Sequence, residues 1–185
     1  MTPAIMSDPS GRFLIEWFDY STATKADMAQ IGEVYKHVFE HDIRLVFNPA
    51  LDADFLRPLD YYAPNVRGAF IVTRDANDGN RIVGTAALRH LKELGNQVEI
   101  KRMFFLPVCR GRKLAHIVCQ LLLGRARDLG YDAVVLDTKK RLAAANRVYE
   151  VHGFRDCENY NGNPRADRFM RLRLDSAAAP PSSKL

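Results

Sequence analysis

Arg110, Gly111, Arg112 and Lys113 stand between an apolar run that ends at Pro107 and an amphipathic run that begins at Leu114. So short a link from a strand to a helix aims the first backbone N–H groups of the helix outward as an unpaired set, at the positive end of its dipole. Together they form an anion site. Gly111 gives the chain dihedrals closed to other residues and lets a phosphate approach the backbone. The arginines and the lysine add full charges that pair with phosphate oxygens, and the small Ala115 follows Leu114 in the first turn. By itself this junction is a generic anion site.

Three further residues invite a chemical reading. Glu99 sits in the apolar strand before the loop, two positions ahead of Lys101 and therefore on the same face. An acid among apolar strand residues needs either a cation or a task, so Glu99 reads as an ion-pair partner of Lys101 or Arg102, or as a base. Asn146 and Tyr149 are one turn apart on a later helix and share a face. His116 and Cys119 are spaced for a metal pair but have no further ligands nearby, and packing explains them as well. Cys109 has no histidine placed by sequence to activate it, and His37, His41, His90 and His152 have no identifiable partner.

The elements that must hold these residues are legible from periodicity. Arg12–Tyr20 alternates and reads as a first strand. Thr24 with Asp27 forms a capping-box start for a helix that turns Met28, Ile31, Val34, Tyr35, Val38 and Phe39 to one side. From His41 to Pro64 the pattern breaks, with three prolines and one short helix near Ala53–Leu56, as in a substrate-side loop. Ala69–Arg74, Arg81–Leu91 and Gln97–Leu106 make an antiparallel meander. A helix over Leu114–Leu129 stops at Gly130, and Ala133–Asp137 is an apolar run suited to an interior parallel strand. A helix over Leu142–His152 and two strands, Phe154–Tyr160 and Arg168–Leu174, complete an α+β order.

With its flanks, the loop becomes specific. The run Val98–Pro107 leading into Arg110–Ala115 resembles the cofactor motif of the GNAT superfamily, the GCN5-related N-acetyltransferases, written Arg/Gln-x-x-Gly-x-Gly/Ala. Gly130–Tyr131, Leu136–Thr138, Ala144–Tyr149 and Gly153–Phe154 continue the similarity in the same order. The fourth position of the motif is usually glycine and here is Lys113, which either adds a charge or intrudes on the ligand. The resemblance implies a mixed, largely antiparallel sheet of about seven strands, splayed between the fourth and fifth and flanked by helices. It implies acetyl-CoA as acyl donor, held by Arg110, Gly111, Arg112, Lys113, Leu114 and Ala115 at its diphosphate and by the backbones of Met103 and Phe105 along its pantetheine arm. The N–H of Phe104 would polarise the thioester, and Asn146 would bond the pantetheine or its sulfur end. It implies Glu99 as the base that takes the amine proton and Tyr149 as the acid that protonates the leaving thiolate. No metal enters this chemistry.

Length and composition agree. A chain of 185 residues with 47% apolar and 26% charged residues fits one domain, expected over residues 12–174, with flexible ends at 1–11 and 175–185. No apolar run approaches the roughly 20 residues that span a bilayer, the start lacks a secretory pattern, and three cysteines read as free thiols. A cytoplasmic protein is expected, the final Ser-Lys-Leu, which spells a peroxisomal address, being read as coincidence. The partner is then a small-molecule or peptide amine, with no membrane, and dimers are common in the family. Two rivals remain: an acyl-CoA-binding module without catalysis, and a nucleic-acid-binding protein exploiting the net charge of +5.

Overall fold

A computed structural model describes residues 6–174. Strands β1 (Met6–Ser7), β2 (Phe13–Trp17), β3 (Ala69–Asp75), β4 (Arg81–His90), β5 (Gln97–Phe105), β6 (Ala133–Thr138), β7 (Arg155–Asp156) and β8 (Arg168–Arg173) form one sheet. Their order is β1-β2-β3-β4-β5-β6-β8-β7. Every neighbouring pair is antiparallel except β5 and β6. The eighth strand is β1, within the stretch expected to be a flexible start; Met6 and Ser7 pair with Ile15 and Leu14. The strands counted fourth and fifth from the sequence are therefore β5 and β6. The expected tail at 175–185 lies outside the described residues.

Helix α1 (Lys25–His37) starts on the anticipated capping box, with the Thr24 side chain accepting from the Asp27 N–H and the Asp27 carboxylate accepting from the Thr24 N–H. It continues as a wider π-helical turn over Val38–Ile43 and ends at Arg44 in the left-handed region, φ 50°. Two one-turn helices, α2 (Ala53–Leu56) and α3 (Leu59–Tyr62), follow; α2 falls where it was expected and α3 was not foreseen. Helices α4 (Leu114–Asp128) and α5 (Ala143–Val151) complete the fold. Gly130 and Gly153 both take positive φ just beyond them, 73° and 94°, a conformation that favours glycine in this terminating role. The anticipated strand Phe154–Tyr160 is reduced to Arg155–Asp156, leaving a loop to β8 that folds back over the sheet.

Two cores sandwich the sheet. Ile31, Val34 and Tyr35 of α1 pack on Phe70, Val72, Ile82 and Ala87. On the other face Leu114, Val118, Cys119, Leu122 and Leu123 of α4, with Val148 and Tyr149 of α5, pack on Ile71, Val83, Leu88 and Ile100. The buried stripe of α4 runs through Leu114, Val118, Cys119, Leu122, Leu123 and Ala126, while Ile117, Leu121 and Leu129 are half-buried at its edge.

Candidate active site

Strands β5 and β6 pair only over Gln97–Glu99, opposite Ala133–Val135. Beyond Glu99 they diverge, although β5 stays paired to β4 as far as Phe105 and β6 to β8 as far as Thr138. Buried strand edges need hydrogen-bond partners, so the facing backbones of Met103–Phe105 and Leu136–Thr138 offer an extended ligand the ladder of a missing strand. A cleft of about 1130 Å³ opens there.

The shape of β5 is set by a bulge. Thr85 pairs with Phe104 and Ala87 with Lys101, so Arg102 and Met103 together oppose Ala86. Arg102 takes φ 54°, and its carbonyl accepts a 2.8 Å bond from the Thr85 hydroxyl. An extra residue reverses the in–out alternation downstream. Phe104 consequently packs edge-on against Tyr35 and Phe39 of the α1 layer, whereas Met103 and Phe105 join the α4 core. The Phe105 ring lies over Gly84, where a Cβ would approach it to 2.5 Å.

The Arg110–Ala115 loop forms one mouth of the cleft. Gly111 has φ 73°, and a Cβ added there would meet nothing within 4 Å, so its backbone faces open space. Lys113 also occupies the left-handed region, φ 58°, as the N-cap of α4, and no side chain caps this helix start. That dihedral explains why a glycine is usual at this position: lysine there carries strain of about 1–2 kcal/mol. The uncapped N–H groups, the open Gly111 backbone and the cations Arg110 and Lys113 suit a diphosphate. Arg110 bonds Asp42 across the mouth at 3.2 Å, and Arg141 donates to the carbonyls of Asp42 and Ile43 at 3.0 and 2.6 Å.

Met103, Phe104, Phe105, Arg110, Gly111, Lys113, Leu114, Ala115 and Tyr149 all line this cleft. Three residues anticipated for the site do not: Glu99, Arg112 and Asn146. Asn146 faces the other way, donating 3.0 Å bonds to the carbonyls of Lys139 and Lys140 and so fixing the β6–α5 turn. Glu99 is 0% exposed at the point where the strands part. Arg89 donates to its carboxylate at 2.6 and 2.9 Å, Tyr160 at 2.7 Å and Asn161 at 3.0 Å, with the Lys101 ammonium 3.8 Å away. The ion-pair reading of Glu99 therefore describes its surroundings.

Asp137, at the end of β6, lines the cleft, as do Asp42 and Asp52. Its side chain is 10% exposed, 3.4 Å from the Lys101 ammonium, and accepts from the Asn161 and Asn163 amides at 2.6 and 3.1 Å. Burial pushes its carboxyl up, but the Lys101 charge and the two amides outweigh this and hold it below the usual value. Only the position of Asp137 beside Thr138 in the family-like run hinted at this role, since the partners come from β5 and the loop before β8. On the opposite wall, burial pushes the Tyr149 hydroxyl up from its ordinary value, so it keeps its proton at neutral pH.

The acids of the irregular segment before β3 are already paired with cations. Asp52 and Asp54 both bond the buried Arg102, Asp52 also bonds Arg165, and Asp54 accepts a short bond from Tyr62. Asp60 pairs with Arg57. Burial pushes the Asp54 carboxyl up, but Arg102 prevails and brings it to about 2. Burial drives the Cys109 thiol up to about 12, which removes it as a nucleophile. Of the cations near the loop, Arg102 is folded inward onto these acids, whereas Arg110, Arg112, Lys113, Lys140, Arg141 and Arg147 stay exposed. Among the described residues no helix is long and apolar enough to cross a membrane.

Comparison with known proteins agrees with this geometry. Residues 34–154 match the model of the acetyltransferase (GNAT) family. An uncharacterised N-acetyltransferase of Schizosaccharomyces pombe is 30% identical over 142 residues, 76% of this chain and 84% of that protein. An acetyltransferase from Streptococcus agalactiae superposes with a TM-score of 0.75 at 20% identity, covering 88% of this chain and 98% of the other. A phosphinothricin acetyltransferase from Sinorhizobium meliloti, solved in complex with acetyl-CoA, superposes with a TM-score of 0.65 at 18% identity over 99% and 95% of the two chains. With the splayed strands, the uncapped helix and a family match over most of its length, the chain belongs to the acetyltransferase (GNAT) family.

Proposed function

We propose that this acetyl-CoA-dependent N-acetyltransferase moves the acetyl group directly onto a primary amine of a small molecule or peptide. The observation that carries the reading is a single cleft running from the Arg110–Ala115 loop, past the free edge of β5, to Asp137 and Tyr149.

The chain's own groups divide the work along that cleft. The N–H groups at the start of α4, with Arg110, Gly111, Lys113, Leu114 and Ala115, hold the diphosphate, and the backbones of Met103 and Phe105 align the pantetheine arm as an added strand. The N–H of Phe104 polarises the thioester carbonyl and stabilises the oxyanion. Asp137 holds the amine. As the new C–N bond forms the nitrogen becomes acidic, and Asp137 accepts its proton through water. Glu99 acts one layer behind: with Arg89, Tyr160 and Asn161 it pins the loop before β8 and fixes Lys101 beside Asp137. Tyr149, kept protonated by burial, supplies the proton to the departing sulfur. Asn146 fixes the β6–α5 turn between the elements that carry Asp137 and Tyr149.

Thiol release from acetyl-CoA in the presence of a broad amine panel, with mass detection of the acetylated amine, tests this. Turnover that Tyr149→Phe and Asp137→Asn each lower is the expected result. Tight acetyl-CoA binding with no acetylated amine from any member would overturn it in favour of a non-catalytic acyl-CoA-binding module.

A further inference from the structure

A second cavity, of about 350 Å³, lies under the Val38–Phe55 segment against α1. Tyr35, Phe39, Phe47 and Phe55 supply aromatic walls, and Gly32 contributes from the middle of α1. Phe39, Leu45, Asp52 and Arg102 line both this pocket and the main cleft, so the two adjoin. The walls also interlock with the site: Phe55 packs 5.0 Å from Tyr35, which is edge-on to Phe104 of the thioester-facing strand at 5.4 Å.

Two features indicate that the pocket is a space to be filled. A glycine in a helix interior costs about 1 kcal/mol relative to alanine, and Gly32 has no steric requirement for it: an added Cβ would only touch the Phe55 ring, at 3.8 Å. Around the pocket, apolar surface is left in water, with Val46 83%, Phe47 41% and Leu51 41% exposed, as at ligand grooves. The charges near the acceptor end are meanwhile balanced. Glu99 is matched by Arg89, Asp137 by Lys101, and Asp52 and Asp54 by Arg102 and Arg165. Asp137 can receive one amine, and the two charged side chains that also line the pocket outside the ion pairs just named, Lys36 and Glu40, are of opposite sign.

We propose that the aromatic pocket beside Gly32 receives the apolar substituent of the acceptor, making the enzyme selective for monoamines with one bulky aromatic or branched aliphatic group over polyamines. This rests on the acetyl-transfer reading, and the pocket volume accommodates a single ring with a short linker.

The test compares kcat/KM for phenethylamine, isoamylamine, ethylamine and spermidine, by thiol release, in the wild type and in Gly32→Leu, whose side chain fills the pocket while improving helix propensity. Burial of one apolar group predicts a preference of about 10- to 100-fold for the two bulky amines over ethylamine, and Gly32→Leu should collapse that ratio towards one. Equal rates across the panel, fastest turnover with spermidine, or a ratio untouched by Gly32→Leu would overturn the proposal. If no amine is acetylated, the acetyl-transfer reading fails separately. Calorimetry of phenethylamine binding to the CoA-bound protein then decides the pocket: binding that Gly32→Leu abolishes supports it, and no binding to the wild type refutes it.

Discussion

Replacing Lys113 by glycine should stabilise the protein and weaken its hold on acetyl-CoA at the same time, a pairing of signs that follows from the φ of 58° at this residue. The left-handed conformation costs a non-glycine residue about 1–2 kcal/mol. Glycine gives back about 0.4–1 kcal/mol of that through the greater freedom of its unfolded chain. The net gain is about 0.5–1 kcal/mol, which in a chain of this size raises Tm by about 1–4 °C. The ammonium, exposed at the mouth of the cleft, contributes to phosphate binding on the scale of a solvent-exposed ion pair, about 0.2–1 kcal/mol, so Kd for acetyl-CoA should rise about 1.5- to 5-fold. Lys113→Ala separates the two effects, since it removes the charge but keeps the backbone strain: the same loss of affinity is expected, without the gain in Tm. Scanning calorimetry on the ligand-free protein and titration calorimetry with acetyl-CoA give both numbers, and acetyl-pantetheine, which lacks the diphosphate, should bind all three proteins alike. A lower Tm for Lys113→Gly would refute the strain argument. A tighter Kd for acetyl-CoA in that variant would show that the lysine intrudes on the ligand.

Other perturbations test the remaining parts of the site. Tyr149→Phe should lower kcat by about 100-fold while leaving the KM for acetyl-CoA nearly unchanged, because its proton is needed only as the sulfur departs. Asp137→Asn should lower kcat/KM for the amine by a similar factor, and Lys101→Met should move the acid limb of the pH–rate profile upward, because burial then acts on Asp137 without the opposing ammonium. Arg102→Met leaves Asp52 and Asp54 buried without their main cation and should cost about 3–5 kcal/mol in chemical denaturation. The folded-state pKa of Asp54 is brought down to about 2, below the ordinary aspartate range. Its contribution of about 2 kcal/mol is present above pH 4 and lost as pH falls towards 2, so the stability gap between the wild type and Asp54→Asn should narrow over that window. Gly84→Ala pushes a methyl into the Phe105 ring and should weaken acetyl-CoA binding more than it lowers kcat.

The sequence by itself determined what rests on neighbours along the chain. Its 3.6-residue and two-residue periods placed the main helices and the meander, Thr24 with Asp27 marked the start of α1, and Gly130 and Gly153 marked helix ends. The Arg110–Ala115 junction and its flanks were enough to identify the loop and the family, because an anion site at a helix start is a local construction. What the tertiary structure decided depends on atoms far apart in sequence. The bulge at Arg102 arises from pairing with β4, and it reversed the alternation, sending Lys101 and Arg102 to one face and dividing Phe104 from Met103 and Phe105. No periodicity in a single strand records a register shift imposed by its neighbour. Likewise Glu99 and Asp137 are both carboxylates in apolar strands. Only the arrival of Arg89 from β4 and of Tyr160 and Asn161 from the loop before β8 sealed the first, while the divergence of the two strands left the second facing the cleft. Burial and charge pairing are properties of the assembled site, so the Arg110–Ala115 loop could be read from the chain, and which strand carboxylate faces the cleft could not.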